Sequence, residues 1–224
     1  VGFMKDYGRK LRATREFAAA RGWTLTASMR SDAERRALLE QLHGEPFHPA
    51  ERNPDSFPYP VLGDHRHLLS DVMRGTYRQR SVVVFAYTRE QEVLDDSFGR
   101  RGWENSKYWV AALLDLPTPI TPLQVTPRTP VPPEQPGVAV GDPRIDERFH
   151  VHTRDPIWAA RVLRDLAPVL LNDPGRQWRI SGTSILTWTY QSMSSIPLDQ
   201  VDAALEQLSV IAEHLTPTTG RTGL

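Results

Sequence analysis

Two periods alternate along this chain, and the elements follow from which period holds where. Residues 7–21 carry Tyr7, Leu11, Thr14 and Ala18 at three-to-four spacing with Phe17 beside them, and Gly22 follows, so the spacing predicts a helix with one polar break, at Thr14. Trp23, Leu25 and Ala27 then alternate with polar residues, the pattern of a short strand. Ser31-Asp32-Ala33-Glu34 is a capping box opening a helix through Leu38, Leu39 and Leu42 to Gly44. Residues 45–64 are proline-rich without a period and read as loop.

Beyond them Arg78-Gln79-Arg80 separates two extended stretches, a hairpin. Its second arm, residues 82–87, is β-branched and aromatic throughout, as a strand buried on both faces requires. Residues 90–105 are charged, contain Gly99 and Gly102, and read as an exposed connection before further strands at 106–114 and 123–126.

The last third is patterned most clearly. Residues 148–153 read as a strand, and Asp155 caps a helix with Pro156 at its first position. Ala159, Leu163, Leu166, Ala167 and Leu170 form its apolar stripe, and Asp173-Pro174-Gly175 ends it. Residues 177–190 read as a hairpin turning at Gly182. A final helix after Pro197 sets Leu198, Val201, Leu205, Leu208, Ala212 and Leu215 against an acidic side of Asp199, Asp202, Glu206 and Glu213. Strands follow one another more often than they alternate with helices, so the fold class is α+β: a largely antiparallel sheet with amphipathic helices packed on it and a C-terminal β-α-β-β-α unit. The 224 residues form one domain with a front part (1–116), a proline-rich connection (117–143) and a back part (144–217).

Composition narrows function mainly by exclusion. Lys plus Arg and Asp plus Glu are 27 each, a formal net charge of zero, where a binder of phosphate backbones needs a basic excess; nucleic acid is not an expected partner. With no cysteine, thiol catalysis, cysteine-ligated metals and disulfides are excluded, which fits a cytoplasmic setting. The sequence has neither a G-x-S-x-G elbow nor the glycine-rich loops that cradle phosphates, and no cofactor is expected.

Four groups of residues carry candidate chemistry. Asp64, His65, His67 and Asp71 form the densest polar cluster: an H-x-H pair puts two imidazoles on one face of a strand, and nearby carboxylates could complete a metal site. A second pair, His150 and His152, alternates with Phe149 and Val151, which puts the apolar pair inward and the histidines outward. Trp103 beside Arg100 and Arg101 suits a binding surface or a membrane interface, whereas Trp23, Trp109, Trp178 and Trp188 sit in predicted strands as core. Arg9, Lys10 and Arg12 belong to a helix whose neighbourhood, residues 1–21, holds six basic and two acidic side chains.

The order of Gly22-Trp23, then Gly75-Thr76-Tyr77-Arg78-Gln79-Arg80-Ser81-Val82, then Thr121-Pro122-Leu123-Gln124-Val125-Thr126-Pro127, then Phe149-His150-Val151-His152 running into Asp155, Ala159 and Leu163 resembles a family of uncharacterised actinobacterial proteins. The resemblance covers most of the chain outside the loops and rests on packing and turn residues. It implies an α+β fold and a membrane-proximal setting; the N-terminal anchor of the pattern has no counterpart in these 224 residues. It implies no activity. Together these readings lead to a non-catalytic binding or interaction module, cytoplasmic, with a protein partner and a peripheral membrane contact. The alternative is a metal-dependent or carboxylate hydrolase built on the two histidine pairs, with which the enzyme question stays open.

Overall fold

The computed structural model describes residues 2–28, 38, 65–95, 100–128, 137–191 and 196–215. Among them, six strands form one antiparallel sheet accompanied by four helices. In chain order these are α1 (Gly2–Ala20), β1 (Thr24–Ser28), β2 (His65–Tyr77), β3 (Arg80–Asp95), β4 (Arg100–Pro127), α2 (Pro143–Asp146), β5 (Phe149–Thr153), α3 (Pro156–Asn172), β6 (Gln177–Gln191) and α4 (Leu198–Leu215). The α+β class and the C-terminal β-α-β-β-α unit are as the pattern predicts. Of the capping-box helix only Leu38 is described, helical and buried; the 45–64 loop lies outside the described residues.

The sheet runs β1-β2-β3-β4-β5, and β6 also pairs with β4. Strand β4 is the hub: its first half pairs with β3, its second half with β5, and β6 lies against both halves. That is possible because β6 folds back on itself. The Thr187 hydroxyl donates to the Gln177 carbonyl at 2.7 Å, although ten residues of straight strand would separate them by about 33 Å. The reversal falls at Gly182, with φ +58, where a side chain would be strained. Between Asp115↔Ser184 and Ile120↔Gly182 the register of β4 slips, so residues 116–119 arc around the tip of β6.

Two expectations are corrected here. Residues 90–105 are not simply an exposed connection: β3 continues to Asp95 and β4 begins at Arg100, a long charged hairpin in which Trp103 lies opposite Glu92. Glycine and charge suggested a loop, but cross-strand pairing supplies the ladder that local propensity does not. The proline-rich connection is also shorter than it reads. Pro117 and Pro119 fall in the arc of β4, where a missing N–H removes no bond from a regular ladder. Further on, Val138 N donates to Val151 O at 2.8 Å, Val140 and Ile145 are buried, and the Asp146 carboxylate accepts from Val140 N and Gly141 N at 2.9 and 3.0 Å. The end of the connection is therefore a folded cover on β5.

Both faces of the sheet are apolar. On one, α3 and α4 bury the predicted stripes against Val84, Ala112, Leu114, Leu123, Trp178 and Ile180. On the other, Phe85, Tyr87, Trp109, Leu113, Leu186 and Trp188 gather with Leu38. Burial on both sides explains why residues 82–87 show no alternation. Helix α3 starts as its sequence indicates, with Trp158 N donating to the Asp155 carboxylate at 2.9 Å. No helix among the described residues is long and apolar enough to cross a membrane.

Candidate functional site

Helix α1 is fastened to the sheet by one corner. Its last turn leads through Gly22 (φ +66) into Trp23, whose ring lies on Gly75 of β2. A Cβ at Gly75 would sit 1.9 Å from Trp23 Cδ1, so only glycine leaves room for the ring. The indole N–H donates to Thr76 O at 3.1 Å, and Phe17 meets the ring edge-on at 6.1 Å. The two motifs Gly22-Trp23 and Gly75-x-Tyr77-Arg78 are therefore the two sides of one contact. The polar break at Thr14 is resolved within the helix: Thr14 is buried, and its hydroxyl donates to Lys10 O at 3.1 Å.

Ion pairs tie the same corner to the acidic side of α4. Arg21 stacks 3.5 Å from the Phe17 ring centroid and pairs with Asp202 at 2.6 Å. Arg78, at the β2–β3 turn, pairs with Glu206 at 2.7 Å and Glu213 at 3.7 Å, and the Tyr77 hydroxyl donates to Glu206 at 2.9 Å. Burial, and then the bond to Glu206, push the Tyr77 phenol above its ordinary range. Arg78 and Gln79 both have positive φ (46 and 66), which non-glycine residues adopt at some cost; the partners on α4 hold Arg78 there. Three of the four acidic residues predicted on the outer side of α4 are thus engaged with cations from the front part.

The basic side of α1 is presented differently. Thr14 and Ala18 face the sheet. Arg12 and Arg9 precede Thr14 by two and five residues, which at about 100° per residue sets them about 160° and 140° around the helix from it. Arg9, Arg12 and Arg15 are exposed and Lys10 is half-buried. The docking of α1 thus turns Arg9, Arg12 and Arg15 away from the sheet.

The histidine pairs are not brought together. His65 and His67 lie in β2 opposite Gln91 and Arg89, whereas His150 and His152 lie in β5 opposite Thr126 and Gln124, and β3 and β4 separate the two strands in the sheet. Asp64 lies outside the described residues. Asp71 is four strand positions from His67, about 13 Å in a regular strand. It occupies a bulge between Ser70 and Met73 with φ 50, is 9% exposed, and among the described residues its Oδ1 has no hydrogen-bond partner. Burial raises its carboxyl above the ordinary range. Among the described residues no three His, Asp or Glu side chains are grouped to hold a metal. Arg100 and Arg101 lie opposite Asp95 and Leu94 in the long hairpin.

One polar feature escaped the sequence reading. Arg179, Gln124 and His152 stand directly opposite one another on β6, β4 and β5; Arg179 is 2% and Gln124 5% exposed. The Arg179 guanidinium lies 5.9 Å from the Trp188 ring centroid. Only the inward places of Trp178 and Ile180 hinted that Arg179 faces the other side. A cleft under the start of α4, lined by Val84, Val110, Ala112, Thr187, Val201 and Ala204 among others, has a volume of about 20 Å³, room for a single water.

No family model and no curated protein matches the chain. The crystal structure of the mycobacterial trehalose monomycolate transport factor A, TtfA, is similar to it, with TM-score 0.51 and 14% identity over 91% of this chain and 90% of that one. At that identity the likeness concerns the fold.

Proposed function

We propose that this chain is a non-catalytic interaction module that works at an anionic membrane surface as an accessory to a transport assembly. The observation that carries the reading is the fixed presentation of α1: its apolar side is locked by Trp23 and Gly75, and Arg9, Arg12 and Arg15 point outward. A helix so held meets a charged surface without further ordering, and each basic residue near an anionic leaflet contributes about 1 kcal/mol. The fold shared with a transport factor along nearly all of both chains is consistent with an accessory role. The membrane part is tested by co-sedimentation of the whole chain with vesicles of phosphatidylcholine alone or with phosphatidylserine added. Recovery with the anionic vesicles only, weakening as salt is raised, supports the reading. Equal recovery with both, or no recovery at low salt, refutes it.

A further inference from the structure

The two ends of the sheet are finished differently. At one end β5 is sealed by residues 137–140: Val138 N donates to Val151 O, and Gly137 lies so close that a Cβ would stand 2.8 Å from Val151 N. At the other end β1 is outermost and, among the described strands, pairs with β2 alone. Thr24, Thr26 and Ala27 are exposed.

Edge strands are ordinarily protected from pairing by a charge, a proline or a bulge. Strand β1 reads Thr-Leu-Thr-Ala-Ser, with none of the first two, and its register with β2 carries no shift. It is also held in shape: Trp23, the residue before it, is bonded to Thr76 O and Ala18 O and seated on Gly75. The result is a short, uncharged and pre-ordered template for strand addition.

We propose that β1 pairs antiparallel with β1 of a second copy of this chain across a two-fold axis. The sequence of the strand is its own complement. A pair centred on Thr26 sets Thr26 opposite Thr26, Leu25 opposite Ala27 and Thr24 opposite Ser28. Hydroxyl residues then face hydroxyl residues, aliphatic faces aliphatic, and no like charges meet. Among the described strands β1 is the one edge left open, and one such edge per chain closes the assembly at two copies, where two would give a fibre. A net charge of zero sets up no long-range repulsion between copies. The axis stands perpendicular to the sheet, so both copies carry α1 on the same side. Pairing would double the basic surface invoked above, but it does not depend on that surface binding lipid.

Sedimentation velocity of the whole chain from low to high micromolar concentration is the test, with Thr26→Lys, which sets two ammonium groups against each other at the axis, and Ala27→Lys as a second exposed edge variant. A concentration-dependent dimer in the wild type, lost in both variants while their melting temperatures stay within the range of ordinary surface substitutions, is the expected result. A chain that stays monomeric throughout, or a dimer that persists in both variants, overturns the proposal. Hydrogen exchange adds a check on a variant that folds poorly: the β1 amides of the wild type should gain protection as concentration rises, and an unchanged pattern counts against the pairing.

Discussion

Replacing Gly75 by alanine should destabilise the protein only while Trp23 is present. The added Cβ would lie 1.9, 2.4 and 2.5 Å from Trp23 Cδ1, Cγ and Nε1, all far inside van der Waals contact. The ring cannot slide away freely. Its N–H is bonded to Thr76 O, it packs against Phe17 in a T-shaped contact, and it is 7% exposed. Overpacking of this kind costs about 1–3 kcal/mol. For a chain of this size, about 2–4 °C of melting temperature accompanies each kcal/mol, so Gly75→Ala should melt about 2–12 °C lower. Trp23→Ala alone removes a buried aromatic and should cost about 3–5 kcal/mol. In the double variant the clash is gone, and alanine in a strand interior is favoured over glycine by about 0.5–1 kcal/mol. Gly75→Ala made on the Trp23→Ala background should therefore be neutral or stabilising. Urea denaturation of the four proteins gives the cycle directly. A coupling below about 0.5 kcal/mol, the margin for independent sites, would refute the packing of Trp23 on Gly75.

Three further outcomes follow from the same structure. Leu163→Ala and Leu208→Ala, at residues fully buried between the helices and the sheet, should each cost about 2–5 kcal/mol in urea denaturation; losses below about 0.5 kcal/mol at both would mean the helix faces are misassigned. Asp71→Asn should raise the melting temperature at neutral pH. The folded carboxyl titrates above its unfolded value of 3.8, so its contribution is fully present below that value and is lost as pH rises through the folded one; asparagine removes the loss and tolerates the positive φ. The advantage should shrink as pH is lowered toward 3.8, and a pH-independent difference would refute the assignment. Glu206→Gln should cost no more than about 1 kcal/mol, because the Arg78 pair is half-exposed, and the cost should shrink in high salt.

What the sequence disclosed and what it withheld divide along physical lines. Helices α3 and α4 were legible because their apolar stripes keep the 3.6 period and because Asp155 and Pro156 mark a helix start that needs no tertiary partner. The Gly182 hairpin was legible because one residue sets the turn. Strand β5 was legible because Phe149 and Val151 are buried while His150 and His152 are only half so. The arc of β4 was hidden, since prolines ordinarily end strands and only the tip of β6 gives Pro117 and Pro119 a place where no ladder is required. Arg179 was hidden as well: a charged residue in an alternating strand reads as solvent-facing, and its burial depends on the apolar second face. Of the candidate surface, the charge of α1 was visible in the sequence. The contact that aims it, between residues some fifty positions apart, was not.

The proposed function requires that the position of the α1 arginines, and not the charge of the chain, directs it to anionic membranes. Arg9→Gln, Arg12→Gln and Arg15→Gln combined should be compared, in vesicle co-sedimentation, with Arg148→Gln, Arg161→Gln and Arg164→Gln combined, three exposed arginines of the back part. Both triple variants change the net charge equally. At about 1 kcal/mol per residue the α1 triple should bind phosphatidylserine vesicles about a hundredfold more weakly than the wild type, with the other triple close to wild type. Equal losses in the two triples, or no loss in the first, would refute a role for the α1 arginines in membrane binding.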